Sequence, residues 1–229
     1  MIRQHEQSVI DGFSGFISRR ALSAGRHMTR CSFDGQDSIL GADYVFTNRT
    51  NFLMVEFKYE EPNLKSEKLK PRRLKLCRLL DNNDDWRDLS SQCHYVAWSE
   101  EIQAAPKGRR FVILNGYYNE ICNRRIFGEQ SALTRKTQRG DLRVRAGRLV
   151  DEFLAGDLGV DFHTFQQYTD WLMSLEDREP SGIELMIDDN VEDELILMDF
   201  HSIQDLKGWL DTTTLQPPQP RNSSGPRMG

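Results

Sequence analysis

The 229-residue chain lacks the signatures of several common function classes. Its four cysteines, Cys31, Cys77, Cys93 and Cys122, form no CxxC pair, which argues against a zinc ribbon built on close-set ligands. Isolated thiols of this kind are expected to stay reduced and to pack as small buried hydrophobes. The five histidines show no HExxH or HxxxH spacing, so zinc hydrolysis is disfavoured. No GxxxxGK[ST] loop is present to bind ATP. No apolar run approaches the roughly 20 residues of a membrane helix. The opening MIRQHEQSVIDGF is polar where a secretory apolar core would lie, so a cytoplasmic protein with no membrane association is expected.

What is present suits a globular protein: 38% hydrophobic and 28% charged residues. The net charge of -5 conceals a polarity. Residues 1–150 hold 26 Lys+Arg against 18 Asp+Glu, or +8, and residues 151–229 hold 4 against 17, or -13. The first part can face a polyanion that the second would repel.

Residues 4–24 carry Val9, Phe13, Phe16, Ile17 and Leu22 near helical spacing and read as an opening helix. A short strand is expected within 27–33. Two runs, SILGADYVFT (38–47) and FLMVEFKY (52–59), are rich in β-branched and aromatic residues and are joined by the turn-like NRTN, which predicts a hairpin. Pro71 then opens a basic helix, PRRLKLCRLL, which DNNDD is expected to stop. Strands follow at 93–98 and 111–117, and helical periods at 142–154 and 162–175. The acidic stretch IELMIDDNVEDELILMDF reads as a hairpin turning at Asp189–Asn190, and the Pro/Gly/Ser-rich tail from Gln216 as disordered. The order helix, three strands, helix, strand predicts an α/β fold with a mixed central sheet. The expected divisions are a core over 1–140, a helical and acidic extension over 141–215, and the tail over 216–229.

Successive strand residues alternate faces, so Glu56 and Lys58 share one side. If the hairpin turns between Arg49 and Thr50, opposed residues have numbers summing to 99, and Asp43 faces Glu56. The same register gathers Ala42, Tyr44, Phe46, Leu53, Val55 and Phe57 on one apolar face, and a one-residue slip would mix the faces. Opposed carboxylates repel unless a cation lies between them. Lys58 supplies one charge, and a hard divalent ion with oxygen ligands is the more complete answer.

The string GAD…VEFK, set among apolar strands and followed by a basic helix, resembles the PD-(D/E)xK nuclease superfamily. The resemblance implies a restriction-endonuclease-like αβββαβ core over roughly residues 1–118. By position, Asp43 and Glu56 would bind catalytic Mg²⁺ (or Mn²⁺), with the Phe57 main-chain carbonyl as a further ligand and Lys58 assisting the attacking water. Glu6, on the first helix, is the candidate for an additional acid. Ala42 stands where the family has proline, and no QxxxY element is found. The activity implied is metal-dependent phosphodiester hydrolysis leaving a 5′-phosphate, with DNA favoured over RNA, in restriction, repair or antiviral defence. A noncatalytic module of the same fold, binding nucleic acid or protein, is the rival.

Lys65, Lys68, Arg72, Arg73 and Lys75, together with Arg139 and Arg143, are candidate phosphate contacts, although charge runs are commonly solvated faces. His94 reads as a packed or edge histidine before a ligand. The acidic C-terminal region could dock a protein partner, cover the basic cleft, or be a well-packed α+β extension with a charged exterior, and homo-oligomerisation stays open.

Overall fold

A computed structural model of the chain describes residues 2–33, 40–70, 72–102, 108–175, 185–189 and 196–214. Helix α1 (Ile2–Ser23) repeats apolar side chains every four residues: Val9, Phe13, Ile17 and Ala21 are buried, with Ile10 beside them. Leu22, expected on this face, is instead exposed, because the four-residue series passes through Ala21 and its neighbour points to solvent.

Strand β1 (Thr29–Phe33) precedes the hairpin of β2 (Tyr44–Thr47) and β3 (Phe52–Glu60). Tyr44 pairs with Val55 and Thr47 with Phe52, the register expected from the facing residues. Asn48 organises the reversal, its Oδ1 accepting from the amides of Thr50 and Asn51 at 3.1 and 2.8 Å. Strand β2 is shorter than expected, since pairing begins only at Tyr44.

A 3-10 helix over Glu61–Leu69 leads into α2 (Arg73–Asn82). The segment DNNDD ends α2 but does not end helix altogether. Asn83 caps a second helix, α3 (Asp84–Cys93), its side chain accepting from the Trp86 amide at 3.0 Å. The 3-10 helix and α3 were both missed, the first because a three-residue repeat leaves no 3.6-residue pattern to read. Strands β4 (His94–Glu101) and β5 (Arg110–Gly116) follow, then the short helices α4 (Tyr117–Ile121) and α5 (Arg124–Phe127). The chain continues through β6 (Val144–Arg145), α6 (Ala146–Ala155), α7 (Phe162–Ser174), β7 (Leu185–Asp189), β8 (Ile196–Phe200) and α8 (Ile203–Thr214).

The eight strands of the described residues form one mixed sheet in the order β6-β5-β4-β3-β2-β1-β7-β8. The β3–β4 pair is parallel and the rest are antiparallel. A parallel pair needs a long crossover, here supplied by the 3-10 helix, α2 and α3. Helices cover both faces. On one side Phe46, Leu53, Val55 and Phe57 meet α1 and the α6 residues Leu149, Val150 and Phe153. On the other, Val45, Phe52, Met54, Val96 and Trp98 meet α2, α4, α7 and α8. Coverage on both faces is why β3 opens with the unbroken apolar run FLMV. Ala42 departs from expectation: it is buried in the second cluster, because the chain leaves the pleat before reaching it.

The acidic C-terminal segment is part of this construction. Strand β7 pairs with β1, and Leu185, Phe200, Ile203, Leu206 and Leu210 are buried in the core. A removable cover over a cleft does not describe it. Leu185 pairs with Phe200 and Asp189 with Ile196, so Asp189, expected in the turn, belongs to the strand. The rest of the expected turn, the Pro71 start of the basic helix and the tail from 216 lie outside the described residues.

The cysteines differ from expectation too. Cys77 of α2 is disulfide-bonded to Cys122, just after α4, while Cys31 and Cys93 are buried thiols. The fold brings the two helices together across 45 residues of sequence, a proximity that spacing alone does not reveal. Thiol titration of the unfolded, unreduced chain should find two reactive cysteines, and four would show that the bond does not form.

Candidate active site

Charge enters the second face of the sheet where β3 ends. Glu56 and Lys58 point to the same side, as strand alternation requires, and are almost entirely buried at 0% and 4% exposure. The β3–β4 register slips between Phe57 and Glu60, so the bulge falls on Lys58 and Tyr59. A bulge bends a strand and re-aims its side chains. The Lys58 ammonium donates to Glu56 Oε1 and to the Phe57 carbonyl, the latter at 2.9 Å.

Two further residues reach Glu56 from the segment that follows. Lys70 Nζ donates to the same Oε1 at 2.5 Å. Glu67, fully buried on the 3-10 helix, places Oε1 3.4 Å from Lys58 Nζ and 3.2 Å from Lys70 Nζ. Its Oε2 accepts from Arg73 Nε at 3.1 Å and from the Tyr117 hydroxyl at 2.7 Å. Glu67 was not anticipated, since it stands as one acid among lysines in KSEKLK, with no periodicity to mark it as buried.

Asp43 arrives from the other strand. Its expected pairing partner was Glu56, but the ladder ends at Tyr44–Val55, and the Asp43 amide instead donates to the Val55 carbonyl at 2.9 Å. The Asp43 carboxylate accepts from the Phe57 amide at 2.6 Å. The preceding turn is held by close approach. Gly41 has φ +82°, and a Cβ there would lie 3.1 Å from both Arg73 and His94 atoms. His94 Nε2 donates to the Gly41 carbonyl at 2.7 Å, which leaves Nδ1 to accept from the Tyr168 hydroxyl at 3.0 Å. The ring stacks on Tyr117. Burial pushes the imidazole down to about 3, so it is neutral. His94 is therefore packed, as expected, and it also anchors the turn that carries Asp43.

The electrostatics follow from burial opposed by neighbours. Burial would raise Glu56, but Lys58, Lys70 and Arg73 hold its carboxyl down at about 2. Burial and then the Glu56 charge push Asp43 up to about 8. Burial would lower Lys58, yet Glu56, Glu67, Asp43 and Glu6 raise it overall, so it stays an ammonium. Glu6, half-buried on α1, is raised by burial and feels Lys58, Glu56, Lys70 and Glu67, which puts it at the rim of the same cluster.

The basic candidates divide. Lys65 and Lys68 are exposed on the 3-10 helix beside the site. Arg73 is not a surface contact: it is 1% exposed and committed to Glu67. Arg72 is half-buried in a left-handed turn at the start of α2. Lys75 is exposed, with Nζ on the Leu175 carbonyl at 2.9 Å. Arg139 pairs with Asp141 at 2.7 Å. Arg143 is held by Glu61 and Glu120 at 2.8 and 2.6 Å and lies over the Trp98 ring, so it is a structural cation rather than a free grip.

Two carboxylates are candidate ligands for a cation. Glu56 Oε2 is buried and has no hydrogen-bond partner among the described residues, an arrangement that is unfavourable unless a cation completes it. Asp43 lies close enough for the Glu56 charge to raise it. Among the described residues no group of three or more His, Cys, Asp or Glu side chains is placed to hold one ion. Two protein carboxylates with water and substrate oxygens are the usual complement for Mg²⁺, so the donor set fits. No family model, curated protein or solved structure matches the chain.

The sign of the pH dependence is set by Asp43. Its native value lies above the ordinary carboxylate range, so the native state keeps a proton that the unfolded chain has lost, and stability falls as pH rises toward 8. The depressed Glu56 acts in the opposite sense, but its contribution is lost only as pH falls from the ordinary range toward 2. Urea unfolding of the metal-free protein should therefore show declining stability between about pH 6, above which the buried neutral His94 no longer opposes the trend, and about pH 8. Asp43→Asn should flatten that decline, and an unchanged slope would contradict the assignment.

Proposed function

We propose that the protein is a Mg²⁺- or Mn²⁺-dependent phosphodiesterase of the PD-(D/E)xK type, acting as an endonuclease with DNA favoured over RNA. The observation that carries this reading is the unpartnered, buried Glu56 Oε2 beside a destabilised Asp43. The element order α1-β1-β2-β3-helix-β4, with β3 and β4 parallel, supports a restriction-endonuclease-like core around it.

In this reading Asp43 and Glu56 hold the divalent ion, which when bound supplies Lewis-acid activation of water and neutralises charge at the phosphate. Lys58 remains an ammonium, because four carboxylates surround it, and it therefore orients the nucleophile and stabilises anionic charge instead of taking a proton. The Phe57 carbonyl, the other candidate ligand, already accepts from Lys58 and so couples that lysine to the strand. Glu6 borders the cluster, and Lys65 and Lys68 offer exposed charge for the phosphate backbone.

Plasmid nicking in Mg²⁺ tests the reading. Truncating one member of a buried ion pair costs about 3–5 kcal/mol and risks the fold, so isosteric changes are the sound choice. Asp43→Asn, Glu56→Gln and Lys58→Met should each lower the nicking rate by roughly a hundredfold or more while the circular dichroism spectrum is retained. Full activity in any one removes that residue from the mechanism.

A second reading, a noncatalytic nucleic-acid- or protein-binding module, is favoured by one observation: Lys58 and Lys70 both occupy Glu56 Oε1. Mn²⁺ discriminates. A bound ion raises thermal stability by linkage, so a midpoint that rises with Mn²⁺ in the wild type and not in Glu56→Gln supports the enzyme, and no rise in either supports the module.

A further inference from the structure

Two ammonium groups share one buried carboxylate oxygen, and they are not equivalent. Lys58 is 4% exposed, sits on a central strand, and has a second hydrogen bond to the Phe57 carbonyl. Lys70 is 23% exposed and follows the last residue of the 3-10 helix. Its sequence neighbours Lys68 and Leu69 are both exposed, Leu69 to 78%. Lys70 can therefore leave Glu56 by rotating its own flexible stem into solvent, whereas Lys58 would have to break a strand-anchored contact.

The charge balance gives that motion a consequence. Glu6, Asp43, Glu56 and Glu67 supply four acids, and Lys58, Lys70 and Arg73 supply three cations. Counting Asp43 as ionised, its state once a cation is bound, withdrawal of Lys70 leaves a formal deficit of two, the charge of one divalent ion. With Lys70 in place an incoming dication meets two ammonium groups on the carboxylate that must receive it, and like charges at such distances repel strongly in a water-poor site.

We infer that Lys70 is a second functional lysine of this site, one that occupies the cation position in the free protein and moves to a substrate phosphate when nucleic acid binds, so that phosphate binding opens the site to the divalent ion. The inference rests on the phosphodiesterase reading and deepens it: it makes metal and polyanion bind with positive coupling through one side chain. Coupling between two ligands is reciprocal, so the oligonucleotide must also bind more tightly in the presence of the ion. Lys70 is placed for this role because it is the cation at the site that is both bound to Glu56 and in contact with solvent, immediately after the exposed Lys65 and Lys68 that offer the backbone its first contacts.

The test follows free Mn²⁺ by its electron paramagnetic resonance signal as the full chain is added, with and without a phosphorothioate duplex oligonucleotide. Wild type, Lys70→Met, Lys70→Gln, the exposed-lysine control Lys136→Met, and Glu56→Gln are compared, each checked for folding by circular dichroism. Without oligonucleotide, the Lys70 variants should bind Mn²⁺ about fivefold or more tightly than wild type. The oligonucleotide should tighten Mn²⁺ binding to wild type and to Lys136→Met, and leave the Lys70 variants unchanged. Wild-type Mn²⁺ affinity in both Lys70 variants overturns the inference while leaving the metal-enzyme reading intact, provided Glu56→Gln binds less. Mn²⁺ binding that is tightened without oligonucleotide as much in Lys136→Met as in the Lys70 variants overturns it too, by showing that general surface charge is responsible. No Mn²⁺ binding in any protein overturns the inference and the phosphodiesterase reading together.

Discussion

The structure depends on keeping the Glu56 carboxylate charged inside a sheet covered on both faces. An isolated ionised carboxylate in such surroundings would be very costly, and a group in that position normally takes up a proton. Glu56 does not, because Lys58, Lys70 and Arg73 lie around it. Those cations in turn are tolerated only because Glu67 accepts from Arg73 and closes on both lysines. Replacing such a network by apolar residues of equal volume is often neutral or stabilising, so packing alone does not account for it. Glu56 Oε2, buried and without a hydrogen-bond partner among the described residues, is a point at which the network is left incomplete.

The scaffold around the pair is arranged accordingly. The long 3-10 helix turns the chain back over β3 and returns Glu67 and Lys70 to the strand it has just left. The bulge at Lys58–Tyr59 sits where β3 must carry two charged side chains and still pair with β4. Gly41 allows Arg73 and His94 to approach within a distance that a side chain would contest, and His94 fastens the Gly41 carbonyl just ahead of Asp43. Residues from β4, α2, α4 and α7 thus fix one short turn, and that turn sets where the second carboxylate sits. Asp43 in consequence reaches the Phe57 amide and does not continue the ladder.

Much of this was legible in the sequence, for definable reasons. The hairpin and its register followed from strand alternation, because a slip would have mixed charged and apolar faces. The shared side of Glu56 and Lys58 followed from the same periodicity, whereas the expected pairing of Asp43 with Glu56 did not form, because the ladder ends at Tyr44. What escaped reading lacks a period or depends on long-range proximity. Glu67 lies on a 3-10 segment, Cys77 and Cys122 meet only through the packing of α2 against the end of α4, and Arg73 looked like a surface cation because its helix is rich in them. Arg143 was read as a phosphate contact for the same reason, although it is bound to Glu61 and Glu120. Composition counts charge without showing which charges face one another.

The charge polarity of the sequence becomes spatial through the strand order. The arginine-rich stretch leading into α6 contributes β6 at one edge, and the acidic hairpin β7–β8 forms the other, with β3 in the interior of the sheet between them. The acidic segment is held there by its pairing with β1 and by the buried side chains of α8. The polarity of the sequence is thus carried by opposite edges of one sheet, and the β7–β8 edge is fixed in place. The exposed Lys65 and Lys68 lie on the segment that also bears Glu67 and leads to Lys70, so exposed surface charge and the charge that neutralises Glu56 belong to one short stretch of chain.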